Sequence, residues 1–132
     1  MLLKKSVKTE NPGLYEITAE VKAAIAESGV KDGLCVVYVT DADAAVMVTS
    51  FWAPKGHEDI IDDYNRIFPA RLDYEYEPCK VKAAAHSKSA VTGMSLDVII
   101  SGGEAVLGSS QGIFVAEFVG GGKEREYLIK CM

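Results

Sequence analysis

A histidine, two closely spaced aspartates and a short hydroxyl-rich segment are the residues of this chain best suited to chemistry. His86 is one of only two histidines. An imidazole can carry a proton or bind a metal near neutral pH. Lys88 follows two positions later and can neutralise a phosphate or diphosphate. On a regular helix residues two apart project to different sides, so His86 and Lys88 share a site only where the segment is irregular or the site wraps its end. Asp41 and Asp43 are also two apart, and on extended chain both face the same way. With His86 they form a candidate set for a divalent metal, and their oxygen ligands would favour Mg or Mn. The plainer reading of Thr40-Asp41-Ala42-Asp43 is a polar turn between strands.

Ser109, Ser110, Gln111 and Gly112 lie between two apolar runs. Hydroxyls, an amide and a close-approach glycine can hold phosphate oxygens; a bulge or strand crossover uses the same residues. Glu117 stands inside the apolar stretch Ile113 to Phe118 and needs a partner if it points inward. It reads as a structural anchor, or as a pocket acid. His57, among acidic residues, reads as a solvated residue at a helix start. Phe51 and Trp52 suit either a pocket wall or a subunit interface. The sequence contains no P-loop, GxGxxG, HExxH or GxSxG motif.

These residues must be positioned by one ordinary domain, since the chain has 132 residues. A chain of this size buries enough surface to fold without disulfides or a structural metal. The formal charge of −5, with scattered basic residues, argues against a nucleic-acid surface. Cys35, Cys79 and Cys131 are odd in number and widely spaced, which is neither a disulfide framework nor a zinc knuckle. Cys35 reads as a core residue, and Cys79, in a polar loop, as the accessible thiol. No apolar stretch approaches ~18 residues and no signal peptide is recognisable, so no membrane role is expected and the expected location is cytoplasmic.

Local patterning predicts strands over Leu2–Lys8 and Leu14–Ile17, joined by an Asn11-Pro12-Gly13 turn and able to pair as a hairpin. A helix follows, with Thr18 as N-cap, Val21, Ala24 and Ile25 on one face, and Gly29 past its end. Leu34–Val39 reads as a buried strand and Ala44–Val48 as another. Pro54–Phe68 contains a helix with an apolar stripe of Ile60, Ile61, Tyr64, Ile67 and Phe68. Arg71–Lys82 reads as an ordered loop and Ala83–Val91 as a helix stopped at Gly93. Strands are expected at Ser95–Ile100, Ala105–Gly108, Ile113–Val119 and Glu126–Lys130, the last after a Gly120-Gly121-Gly122 turn. The mixture lacks a βαβ rhythm, so the fold class is α+β with mostly antiparallel sheet and two to three packed helices.

Three stretches resemble one known family. Leu107 to Phe118 (LGSSQGIFVAEF) resembles the LGTWQGIFLCEFDGP pattern of the YjbQ family, the "secondary thiamine-phosphate synthase enzyme" family. Ala85 to Ser95 (AHSKSAVTGMS) is similar to its NADAHLKASLLGSS, and Tyr15 through Gly33 to its opening. The stretches keep their order and span nearly the whole chain, residues 1–132, as a single YjbQ-like domain. The chain departs from the family where Asp41-Ala42-Asp43-Ala44 replaces HTTA, where Ser50-Phe51-Trp52-Ala53-Pro54 replaces ENADP, and where Ser110 replaces a tryptophan.

The resemblance implies a compact α+β homotrimer with a pocket around the histidines near subunit boundaries. It also implies a weak thiamine-phosphate synthase activity, a transferase joining phosphorylated pyrimidine and thiazole precursors. In that reading His86 and Asp41 are catalytic, Lys88 and Ser109–Gly112 hold phosphate, and a divalent metal is a candidate cofactor. The alternative is a catalytically degenerate trimer that binds a small ligand or a metal. A different metal-dependent activity on the same scaffold is a third reading. Convergence of Asp41, His86 and Gln111 on one cleft would favour the enzyme.

Overall fold

The computed structural model describes residues 1–52, 54–76 and 78–132. Ala53, in the stretch that replaces ENADP, and Glu77, in the stretch Arg71–Lys82 expected as a loop, lie outside them. The chain runs through β1 (Leu2–Thr9), β2 (Gly13–Glu16), α1 (Thr18–Ser28), β3 (Asp32–Val39) and β4 (Ala44–Ser50). It continues through α2 (Pro54–Ile67), α3 (Lys80–Thr92), β5 (Ser95–Ser101), β6 (Glu104–Ala105), β7 (Gln111–Glu117) and β8 (Lys123–Cys131). The expected α+β class is what forms, and every strand pair is antiparallel.

The strands form two sheets, one ordered β1-β8-β3-β5-β6 and the other β2-β7-β4. Alternation explains the first. In β8 the buried residues are Arg125, Tyr127, Ile129 and Cys131, and in β3 they are Cys35, Val37 and Val39. These period-2 rows point inward. They meet Val46, Ile113 and Val115 of the second sheet and Val21, Ala24 and Ile25 of α1. The second sheet is covered on its other face too, where Ala45, Ala85, Ala116 and Phe118 pack with Ile61 and Tyr64. That double coverage is why β7 is buried over six consecutive residues from Gly112.

Several local expectations yield to tertiary pairing. β1 and β2 do not pair as a hairpin; β1 joins β8 and β2 joins β7. Ile17, not Thr18, is the N-cap of α1. The Thr18 hydroxyl instead accepts from Ile113 N at 2.8 Å and donates to Glu16 Oε2 at 2.8 Å, tying the helix start to β7 and β2. Gly29 ends α1 at φ 73°, a conformation only glycine adopts freely. β3 is buried on one face only, with Leu34 and Tyr38 exposed. α3 begins three residues earlier than expected, at Lys80, with Cys79 as its N-cap. β6 is two residues long, β7 spans Gln111–Glu117, and β8 is longer than expected at both ends. In α2, Ile67 of the expected apolar stripe faces solvent. Among the described residues no helix is long and apolar enough to cross a membrane.

Candidate functional site

The strongest polar constellation centres on Arg125, which the inward phase of β8 drives into the interior. Its Nε donates to Glu117 Oε1 at 2.6 Å, its Nη2 to Glu117 Oε2 at 2.7 Å, and its Nη1 to Asp43 Oδ1 at 2.7 Å. Asp41 Oδ2 lies 3.1 Å from the same Nη1. Glu117 also accepts from the Thr9 hydroxyl and from the backbone N–H groups of Val119 and Gly120. Burial alone would raise the Glu117 carboxyl; Arg125, Thr9 and the two N–H groups outweigh it and hold it at about 2. For Arg125, burial works against the charge and the bonds to Glu117, Asp43 and Asp41 more than restore it. Lys82 and Lys123 complete the network, each 3.9 Å from Asp43 Oδ2.

Asp41 and Asp43 therefore do converge, as two carboxylates on one face, but on a guanidinium. With His86 they do not form a metal site: no group of three or more His, Cys, Asp or Glu among the described residues is placed to hold an ion. Glu117 is an anchor, bonded at every reachable lone pair and closed off from solvent.

α3 is a regular helix, so His86 and Lys88 face different ways. The His86 ring lies edge-on to Tyr76, centroids 5.4 Å apart. Lys88 is only 5% exposed. Its Nζ donates to Asn65 Oδ1 at 2.6 Å and stands 5.9 Å from the Phe118 ring centre. Among the described residues no carboxylate reaches it. Burial lowers the Lys88 ammonium from its ordinary value. The surrounding cleft, about 220 Å³, is walled by Pro12, Ile61, Val81, Ala84 and Phe118.

Ser109, Ser110, Gln111 and Gly112 lie at the opposite end of β7 from Glu117. Six residues at a strand rise of about 3.4 Å separate Gln111 from Glu117 by roughly 20 Å. Asp41 and Gln111 thus do not meet in one cleft of this chain. Gln111 Oε1 accepts from Gly108 N at 2.7 Å, and Ser110 O accepts from Phe51 N at 3.0 Å, so this segment closes a turn. Gly112 pairs with Thr49 in unbroken register and forms no bulge. A Cβ there would stand 3.0 Å from Phe114 Cε1 and 3.2 Å from Phe51 Cβ, so the glycine serves close packing.

His57 departs from the solvated reading. It is half-buried, with Nε2 2.6 Å from Ser50 O and its ring against Phe114 at 4.8 Å. It lines the largest cleft described, about 530 Å³, between β2 and α2, together with Tyr15, Glu58, Ile61 and Asp62.

Sequence reasoning missed Arg125, Asn65 and this use of His57. The phase of β8 carried one clue, because Arg125 stands two residues before Tyr127 and four before Ile129 on the inward row. Asn65 carried none, since its position opposite Lys88 depends on how α2 meets α3.

The family model described as UPF0047 protein YjbQ-like matches residues 4–132. The UPF0047 protein MJ1081 of Methanocaldococcus jannaschii is 36% identical, over 100% of this chain and 94% of the relative. The crystal structure of an uncharacterised conserved protein of the YjbQ/UPF0047 family from Clostridium acetobutylicum superposes with TM-score 0.89 at 33% identity, covering 98% of this chain and 99% of that one. A YbjQ-like protein of unknown function from Sulfolobus solfataricus shares the fold, with TM-score 0.93 at 23% identity over 99% and 95% of the two chains.

Proposed function

The chain belongs to the UPF0047 YjbQ-like family, and on that premise we propose that it binds a small phosphorylated molecule through Lys88. One observation carries this reading: an ammonium 5% exposed, bonded to a neutral amide and met by no carboxylate among the described residues. A buried charge without a counter-charge is unfavourable. A phosphate entering the cleft would supply that counter-charge, with Asn65 orienting the ammonium. The bonding of Asp41 and Asp43 to Arg125 favours binding over the family's catalytic arrangement. The test is calorimetric titration with inorganic pyrophosphate. Wild type should bind and Lys88→Met should not; no binding, or equal binding by both, would defeat the proposal.

A second reading keeps thiamine-phosphate synthase chemistry, and the same Lys88 favours it, since a diphosphate leaving group suits a buried ammonium. Mass spectrometry of the two phosphorylated precursors with wild type, His86→Ala and Asp41→His decides this. Product that vanishes in His86→Ala supports the synthase; none even with Asp41→His removes it.

A homotrimer belongs to the proposal. Its support is the exposed apolar surface at Trp52, Ile67, Leu72 and Val91. Light scattering would test it. A cytoplasmic setting is also part of it, supported by three unpaired thiols, which suit a reducing compartment.

A further inference from the structure

We infer that the Lys88 cleft and the His57 groove are two compartments of one site, suited to a small molecule with a phosphate at one end and a basic nitrogen at the other. This deepens the proposed function and rests on its assignment of the phosphate to Lys88. Pro12 and Ile61 line both cavities, so the two are adjacent. α2 supplies their common wall. His57, Glu58, Ile61 and Asp62 fall at i, i+1, i+4 and i+5 and share one helix face. Asn65 stands one turn beyond Ile61 and reaches Lys88.

The two compartments differ in charge and in hydrogen-bonding sense. The inner cleft offers Lys88, a donor and a cation. The charged residues lining the groove are Glu58 and Asp62, and neither is in an ion pair among the described residues. The Ser50 carbonyl can only accept, so His57 spends its Nε2 donor on the backbone rather than on the groove. The Tyr15 hydroxyl is already used, donating to Asn11 O at 2.7 Å and accepting from Asn11 N at 3.0 Å, so Tyr15 offers its ring. The groove thus presents acceptors and an aromatic face, which together recognise an ammonium or other N–H-bearing cation. Along α2 the carboxylates lie three and seven residues from Asn65, or about 5 and 10 Å by helix rise. That separation is the span of a short phosphorylated amine.

The test uses calorimetric titration of the full chain with O-phosphoethanolamine and with inorganic phosphate. Wild type should bind the phosphorylated amine at least about five-fold more tightly than phosphate. Glu58→Gln with Asp62→Asn, both at exposed positions, should erase that preference without weakening phosphate binding. Lys88→Met should abolish binding of both. Equal affinity for the two probes, or a preference that survives the double variant, would overturn the two-compartment site while leaving the phosphate site standing. Failure of both probes to bind wild type would remove the two proposals together.

Discussion

Glu117 and Arg125 meet at two points, Oε1 to Nε at 2.6 Å and Oε2 to Nη2 at 2.7 Å, and they come from different sheets. Glu117 ends β7 in the three-stranded sheet, and Arg125 stands on β8 in the five-stranded one. Asp43, just before β4, and Thr9, ending β1, join from the two sides. The cluster therefore fastens one sheet to the other through buried polar contacts. Removing one partner strands the other's charge in a place water does not reach. Arg125→Met, which strands two buried carboxylates, should lower unfolding free energy in urea by about 3–5 kcal/mol, and Glu117→Gln by about 3 kcal/mol. Glu117→Leu combined with Arg125→Met should lose less than the sum of its single changes. A loss under about 1 kcal/mol for Arg125→Met would show that the cluster fastens nothing.

The same carboxylate sets an acid limit. Glu117 sits at about 2 in the folded chain against an ordinary value of 4.5. Its folded value is depressed, so its contribution is complete above the unfolded value and is lost as pH falls from about 4.5 towards 2. Wild-type stability should fall through that window in urea melts run at successive pH values. Glu117→Gln should start lower and show a shallower fall. Parallel curves for the two proteins would place the acid limit elsewhere.

What the sequence revealed follows the range of the interactions involved. α1 ends where Gly29 permits φ 73°, a decision made within one turn. β5 runs almost over its expected span because its alternation is local. β1 was another matter: its partner is β8, with Leu2 opposite Lys130, and nothing near Leu2 records that. The site divides in the same way. Lys88 was recognisable as a residue able to hold phosphate, yet its burial depends on Asn65 and Phe118, far away in the chain. Asp41 and Asp43 do face one way, as their spacing requires, but what they face is a guanidinium some eighty residues on. The resemblance carried the fold, as the family match and the solved structures bear out, while the pairing of Asp41 with Arg125 is a long-range contact that no local pattern records.

Lys88 should be a liability to the empty protein. Its folded-state value is lowered by burial, so the unfolded chain holds that proton more readily and protonation opposes folding. Lys88→Met removes the charge and keeps the shape. Asn65, which loses its donor, is exposed and can turn to water. The variant should be more stable than wild type at pH 7 by about 1 kcal/mol. Wild type should gain on it as pH rises through the lowered folded value towards 10.5, where the penalty disappears. Thermal melts from pH 7 to 10.5 read this directly; a variant less stable than wild type at pH 7 would mean that the ammonium is satisfied as it stands.

The three thiols should separate sharply in reactivity. Cys35 and Cys131 lie opposite one another on β3 and β8, both facing the core. Burial, helped by Cys131, pushes the Cys35 thiol up to about 12, so almost none of it is thiolate at neutral pH. Cys79 is only half-buried, at the start of α3, where its sulfur accepts from Lys82 N at 3.4 Å. A chromogenic disulfide reagent should therefore modify one thiol rapidly in the native protein and all three in guanidinium. The slow pair should react at the rate at which β8 opens. Cys79→Ser should abolish the fast phase. Two fast thiols in wild type would mean that the last residues of β8 separate from β3 in solution.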